Sequence, residues 1–196
     1  MGAAERNETK RRIWHRIVRS IDPHRLVFVD ESGANITLAR RYGRAPTHQR
    51  CHGTAPRNYG ENLTLFASLS RDGIGAAMLL DGAADRPSFR VYVERILVPT
   101  LRPGQLVILD NLSVHKDASI RRTIEAAGAR VLFLPSYSPD MNPIELAFSK
   151  IKAHLRRVGA RTKEALETAL AEAIDLITAD DAAAYFRHRG YAGVAQ

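Results

Sequence analysis

Two stretches of this chain repeat one pattern. Leu106-Val107-Ile108-Leu109 runs into Asp110, and Leu26-Val27-Phe28-Val29 runs into Asp30. An unbroken apolar run of this length suits a strand covered on both faces, as in a helix-flanked sheet. Open α/β sheets hold their ligands at the carboxyl ends of their strands, which is where both acids fall. As parallel neighbours, about 4.8 Å apart, the strands would bring Asp30 and Asp110 out side by side. The plain alternative is that each acid merely ends its strand.

The remaining segments supply a frame. Residues 5–20 read as a charged helix with a narrow apolar stripe of Ile13, Ile17, Trp14 and Val18, ended by Pro23. Ser32-Gly33 is expected to break the first strand, with Asn35–Ala39 as a short further piece. Residues 40–60, punctuated by Gly43, Pro46, Gly53, Pro56 and Gly60, read as a long basic loop. Asn62–Ser70 and Ala76–Leu80 form a hairpin about Arg71-Asp72-Gly73. Pro87–Leu101 carries Phe89, Val93, Ile96 and Leu97 at helical spacing. A helix capped by Ser113 runs to Ala127, and Arg130–Leu134 is the last strand. Helices follow from Pro143 to about Arg157, from Thr162, and over Asp180–Arg187. Strands separated by a helix must run parallel to a neighbour. The expectation is an α/β fold: a mixed five-stranded sheet with helices on both faces. Residues 1–24 form a lead-in helix and linker, and 25–196 a single domain.

No apolar run approaches the length of a membrane span, and the polar N-terminus lacks a signal-peptide core. Cys51 is the only cysteine, so no internal disulfide is possible, which suits a reducing cytosol. These features point to a cytoplasmic protein with no membrane partner. Net charge is +8, from 29 Lys and Arg against 21 Asp and Glu, which favours a polyanion as partner. The positive charge is concentrated. Arg40, Arg41, Arg44, Arg50 and Arg57 lie in one acid-free stretch, and Lys150, Lys152, Arg156, Arg157 and Arg161 in another. Both read as phosphate-facing surfaces, Arg40, Arg41, Arg44, Lys150 and Lys152 being the candidate nucleic-acid contacts. His48, Cys51 and His52 cluster, but zinc would want a fourth ligand that the sequence does not offer.

Adjacent carboxylates repel unless they share a proton or a cation. An all-oxygen pair suits Mg²⁺, which takes one or two carboxylates and keeps several waters. Glu145 offers a third. With Asn142 as N-cap and Pro143 first in the helix, it also stands where a capping-box glutamate would, and both roles are open.

Three blocks decide the direction of the reading: Phe28-Val29-Asp30-Glu31-Ser32-Gly33, Leu109-Asp110-Asn111-Leu112-Ser113-Val114-His115, and Leu134-Pro135-Ser136-Tyr137-Ser138-Pro139-Asp140-Met141-Asn142-Pro143-Ile144-Glu145. They resemble the signature blocks of the DDE transposases, in the bacterial insertion-sequence branch related to the mariner transposons. The 34 residues between Asp110 and Glu145 agree with that pattern. Phe186-Arg187-His188-Arg189-Gly190-Tyr191 resembles the family's C-terminal end. Phe148 stands where many relatives carry Trp.

The resemblance implies a ribonuclease-H-like fold, with Asp30, Asp110 and Glu145 as catalytic ligands of two Mg²⁺ ions, Mn²⁺ substituting. It implies cleavage and strand transfer on DNA, at transposon ends and at a TA target, by a nucleoid-associated bacterial protein. His115 is placed to touch a phosphate or to organise its turn. Complete relatives carry helix-turn-helix modules upstream. With about 25 residues before the first strand here, the chain reads as the downstream half of a split frame or a fragment. It is expected to work as a homo-oligomer or with an upstream helix-turn-helix product. The rival reading is a non-catalytic DNA-binding or assembly module that needs or inhibits a full-length transposase. An aspartyl-nucleophile phosphatase would need Asp where Ser32 stands, and a dinucleotide site would need a glycine-rich turn.

Overall fold

The computed structural model describes residues 6–58, 60, 62–111 and 117–191. Its strands are β1 (Leu26–Ala34), β2 (Leu63–Ser70), β3 (Gly73–Asp81), β4 (Leu106–Leu109) and β5 (Arg130–Phe133). They form one sheet in the order β3-β2-β1-β4-β5. β1, β4 and β5 are parallel; β2 and β3 run antiparallel as a hairpin beside β1. The mixed five-stranded sheet expected from the sequence is therefore present. Ser32-Gly33 does not end β1, because Ser32 and Gly33 pair with Leu65 and Thr64 on β2. Asn35–Ala39 forms a turn rather than a further strand.

Alternate residues of β1 and β4 point to opposite faces, and each face has its own core. Leu26, Phe28, Leu106 and Ile108 pack with α1 (Glu8–Arg19), α4 (Ile144–Val158), α5 (Lys163–Asp175) and α6 (Ala179–His188). Val27, Val29, Val107 and Leu109 pack with α2 (Arg86–Tyr92) and α3 (Ala118–Ala126). Both faces are covered, which is why these strands read as solid apolar runs. After α2 the helix widens over Val93–Leu97 and tightens over Val98–Thr100. Pro99 has no N–H to give to a carbonyl one turn back, so the regular ladder cannot continue.

Two local expectations change. Asp117, not Ser113, caps α3, accepting from Ser119 N–H at 2.7 Å; Ser113 lies outside the described residues. On α1 the buried side chains are Arg11, Trp14 and Val18, while Ile13 and Ile17 remain about half exposed. The larger Trp14 turns inward because its indole N–H finds the Tyr191 hydroxyl at 3.0 Å.

Candidate active site

Phe28 on β1 stands level with Ile108 on β4 in a parallel register. Two residues further along each strand are Asp30 and Asp110, which therefore leave the sheet at one height and on one face. That face carries α4, through Ile144, Ala147, Phe148 and Ile151. Glu145 lies in the first turn of α4. All three carboxylates line one cleft of about 330 Å³, with Asn111, Leu134, Pro135, Ser136, Tyr137, Ser138, Pro139 and Asn142.

Asp30 is 9% exposed. Its Oδ1 accepts the Glu31 backbone N–H at 2.8 Å, and its Oδ2 accepts the Asn142 amide at 2.9 Å. Burial is the main cause that pushes its carboxyl from 3.8 up to about 8; the Glu31 N–H opposes this, and the charges of Glu31, Asp110 and Glu145 add to it. Glu145 is also raised, first by burial; the Lys152 and Arg189 cations pull it down, and Asp110 and Glu31 push it up. The carboxylates thus feel one another across the cleft. Glu31, whose side chain leaves the strand on the opposite face to Asp30, still acts electrostatically on both Asp30 and Glu145.

The capping box that competed for Glu145 does not form. The Asn142 backbone N–H, its required donor, goes to the Pro139 carbonyl at 3.0 Å, and α4 has no side-chain cap hydrogen bond. Asn142 is instead a tie. It is almost fully buried, with its amide on Asp30 and its carbonyl facing the Ile144 N–H at 3.4 Å. The start of α4 is thereby held against the middle of β1, at Asp30.

Other supports were not evident from the sequence. Arg11 on α1 grips Asp140 through two hydrogen bonds, of 3.0 and 2.5 Å. The Tyr191 hydroxyl donates to the Met141 carbonyl at 2.7 Å, and its ring lies 4.9 Å from that of Phe28. Phe186 packs edge-on to Phe28 at 5.3 Å. The C-terminal block therefore buttresses the 138–142 loop and the strand that carries Asp30. The available signal was Arg11 three residues before Trp14 on one helix face. Tyr137, at φ 55°, holds a left-handed backbone that non-glycine residues rarely adopt, and it is 58% exposed where it lines the cleft.

The basic candidates separate. Lys152 lies close enough to Glu145 to hold its carboxyl down. The Lys150 ammonium bonds the Leu176 carbonyl at 2.8 Å and Asp181 at 2.6 Å, tying α4 to α6. Arg41 and Arg44 are exposed on the 40–60 loop, and Arg40 reaches the Arg157 carbonyl at 3.3 Å. His115 lies outside the described residues.

Among the described residues no three His, Cys, Asp or Glu side chains are gathered as a ready-made ion cage, and this includes His48, Cys51 and His52. Asp30 spends both oxygens on N–H donors. The donor chemistry nonetheless fits a hard cation. It is all-oxygen and anionic, and Mg²⁺ needs only one or two protein carboxylates beside waters and phosphate oxygens.

Residues 25–167 match the family model described as DDE superfamily endonuclease. The fold is similar to the Mos1 mariner paired-end complex with Mn, at TM-score 0.71 and 22% identity over 94% of this chain and 57% of that one. It is similar to the Mos1 transposase paired-end complex with left transposon end, at 0.69 and 19% over 94% and 56%. The Mos1 transposase catalytic domain with Raltegravir and Mg matches at 0.62 and 19%, over 94% of this chain and 86% of that one. The chain thus spans just over half the length of the first two structures. No curated protein matches it. The likeness identifies the sheet as the ribonuclease-H-like one that the three motifs implied.

Proposed function

The chain belongs to the DDE superfamily endonucleases, and from that premise we propose that it is the catalytic part of a transposase, acting on DNA. The observation that carries the proposal is Asp30, Asp110 and Glu145 lining one cleft, where the parallel pairing of β1 with β4 ends beneath the first turn of α4. We place it in the bacterial insertion-sequence branch related to mariner, on the strength of its three motif blocks, and take residues 25–196 as the catalytic unit.

Two divalent cations, Mg²⁺ or Mn²⁺, would be held by Asp30, Asp110 and Glu145, and when bound they supply the Lewis acidity that activates an attacking oxygen and neutralises a leaving one. The protein's own contribution is placement. Asn142 orients the Asp30 carboxylate and fixes the start of α4. Tyr191 and Arg11 hold the loop between them. Lys152 and Arg189 offset the negative charge of Glu145 and are near enough to steady a phosphodiester drawn into the cleft. The same cleft serves hydrolytic nicking at the end of an element and attack by the freed 3′-OH on target DNA, TA being the family's target. The working form is a homo-oligomer or a complex with an upstream helix-turn-helix product, in a bacterial cytoplasm close to the nucleoid.

The test is Asp110→Asn. It is expected to abolish Mg²⁺-dependent nicking of a cognate end while leaving DNA binding intact. Cleavage by the variant at the wild-type rate would overturn the assignment. One observation favours the rival reading of a non-catalytic DNA-binding or assembly module: the burial of Asp30 disfavours the charged form that a cation would need. Binding without cleavage by the wild-type chain, with Mg²⁺ or Mn²⁺ present, would decide for it.

A further inference from the structure

The two acid-free basic stretches are separated by 93 positions, from Arg57 to Lys150, yet the fold closes them onto one groove. Arg40 donates to the Arg157 carbonyl at 3.3 Å. Arg161 bonds the carbonyls of Ile36, Leu38 and Ala160 at 2.9, 3.1 and 3.1 Å. Between the 40–60 loop and the last turn of α4 opens a concavity of about 460 Å³, lined by Arg40, Arg156, Arg157 and Arg161 with Gly53 and Thr54 among the loop residues. None of these arginines has a carboxylate within ion-pair distance among the described residues, although salt bridges form at many other places in the fold.

Cations near a helix C-terminus complement its dipole, and capping carbonyls occupies one nitrogen each of Arg40 and Arg161. That accounts for the tie between loop and helix. It does not account for the charges of Arg156 and Arg157, although one Arg157 nitrogen lies 2.9 Å from His154 Nδ1; both add to a groove that already holds two like charges and whose lining carries no acid. Such a site is stabilised by an anion lying across it. Backbone phosphates of a duplex fit: they present one charge after another along a line, which a groove bordered by both stretches can follow.

We propose that this groove is a second DNA-backbone contact, apart from the catalytic cleft, which sets how the duplex lies along α4. The proposal rests on the DNA-acting reading of the cleft. Glu145 and Arg156 are eleven residues apart on α4, about 17 Å at a rise of about 1.5 Å per residue. Duplex DNA advances about 3.4 Å per base pair along each strand, so the groove grips the backbone about five base pairs from the phosphate in the cleft. It reads position rather than sequence.

The experiment compares the wild-type chain with Arg156→Gln/Arg157→Gln, and with a charge-matched control, Arg102→Gln/Arg130→Gln. Both control residues are exposed at the opposite end of the parallel strands. Binding of duplexes is followed by fluorescence anisotropy over a salt series without divalent ions. Removing two phosphate contacts is expected to reduce the slope of log K against log salt by about 1.8, at about 0.9 per phosphate. The control is expected to leave it unchanged. Duplexes extending fewer than about five base pairs beyond the nick, at about 3.4 Å each, should show no difference between the groove variant and wild type. An unchanged slope, or an equal fall in the control, overturns the groove; Mg²⁺-dependent nicking by the wild type would then show that the catalytic reading survives. Absence of both binding and nicking in the wild type overturns the two together. Circular dichroism and thermal midpoint establish that each variant is folded.

Discussion

Replacing Asp30 by Asn should make the protein more stable in alkaline solution while destroying its cleavage activity. In the fold the carboxyl is pushed from 3.8 to about 8, chiefly by burial. The folded chain therefore keeps a proton that the unfolded chain releases. Stability is greatest below the unfolded value and falls as pH rises toward the folded one. Between about pH 5 and about pH 9 the wild type is expected to lose about 4 kcal/mol relative to Asp30→Asn, at about 1.36 kcal/mol per pH unit. The variant retains an acceptor for one of the two N–H donors now on Asp30, and the forfeited bond costs about 1 kcal/mol at every pH. It therefore shifts the curve without changing its slope. The assay is urea unfolding of both proteins across this range with chelator present. Adding Mg²⁺ should then stabilise only the wild type, by about 2.7 kcal/mol at a hundredfold excess over Kd. A stability difference that is flat with pH, or that grows in favour of the wild type at alkaline pH, would refute the burial argument.

Two further outcomes follow from the residues around the cleft. Tyr191→Phe removes a buried hydroxyl that accepts from Trp14 and donates to Met141; it should cost about 1–3 kcal/mol in thermal or denaturant unfolding and slow nicking without weakening DNA binding. Loss of stability with nicking unchanged would show that the hydroxyl does not position the 138–142 loop. Lys152→Gln removes the largest influence holding the Glu145 carboxyl down, so the acid limb of the pH–rate profile for Mg²⁺-dependent nicking should move to higher pH; a profile that stays in place would exclude Glu145 as the group that titrates.

The strands were legible because their environment is simple. Leu26–Val29 and Leu106–Leu109 are covered on both faces, and solid apolar runs have no other economical use in a chain of this composition. Helix α4 was legible for the same reason: Ile144, Phe148, Ile151 and Leu155 recur at helical spacing and are all buried. On α1 the apolar count favoured Ile13 and Ile17, whereas an arginine with a distant acid and a tryptophan with a distant hydroxyl took the buried face. Polar burial depends on partners far along the chain, which periodicity does not encode. The ion pair of Lys150 was illegible for the same reason, since its acid, Asp181, lies on α6.

The catalytic candidates divide along the same line. By itself the sequence determined that Asp30 and Asp110 follow buried apolar runs, because the run and the acid are neighbours in the chain; the structure carries β1 on past Asp30 to Ala34, so that Asp30 marks the end of the parallel pairing with β4 rather than the end of its strand. The sequence left Glu145 between a cap and a place in the cleft, since both use the same residue at the same helical position. Only the tertiary structure decided that contest. The Pro139 carbonyl takes the Asn142 N–H that a capping box needs, and the Asn142 amide takes Asp30. The parallel register of β1 with β4, and the packing of α4 on that face, turn three acids separated by 34 or more residues into one electrostatically coupled group. Coulomb coupling depends on distance in space, and those distances come from the sheet.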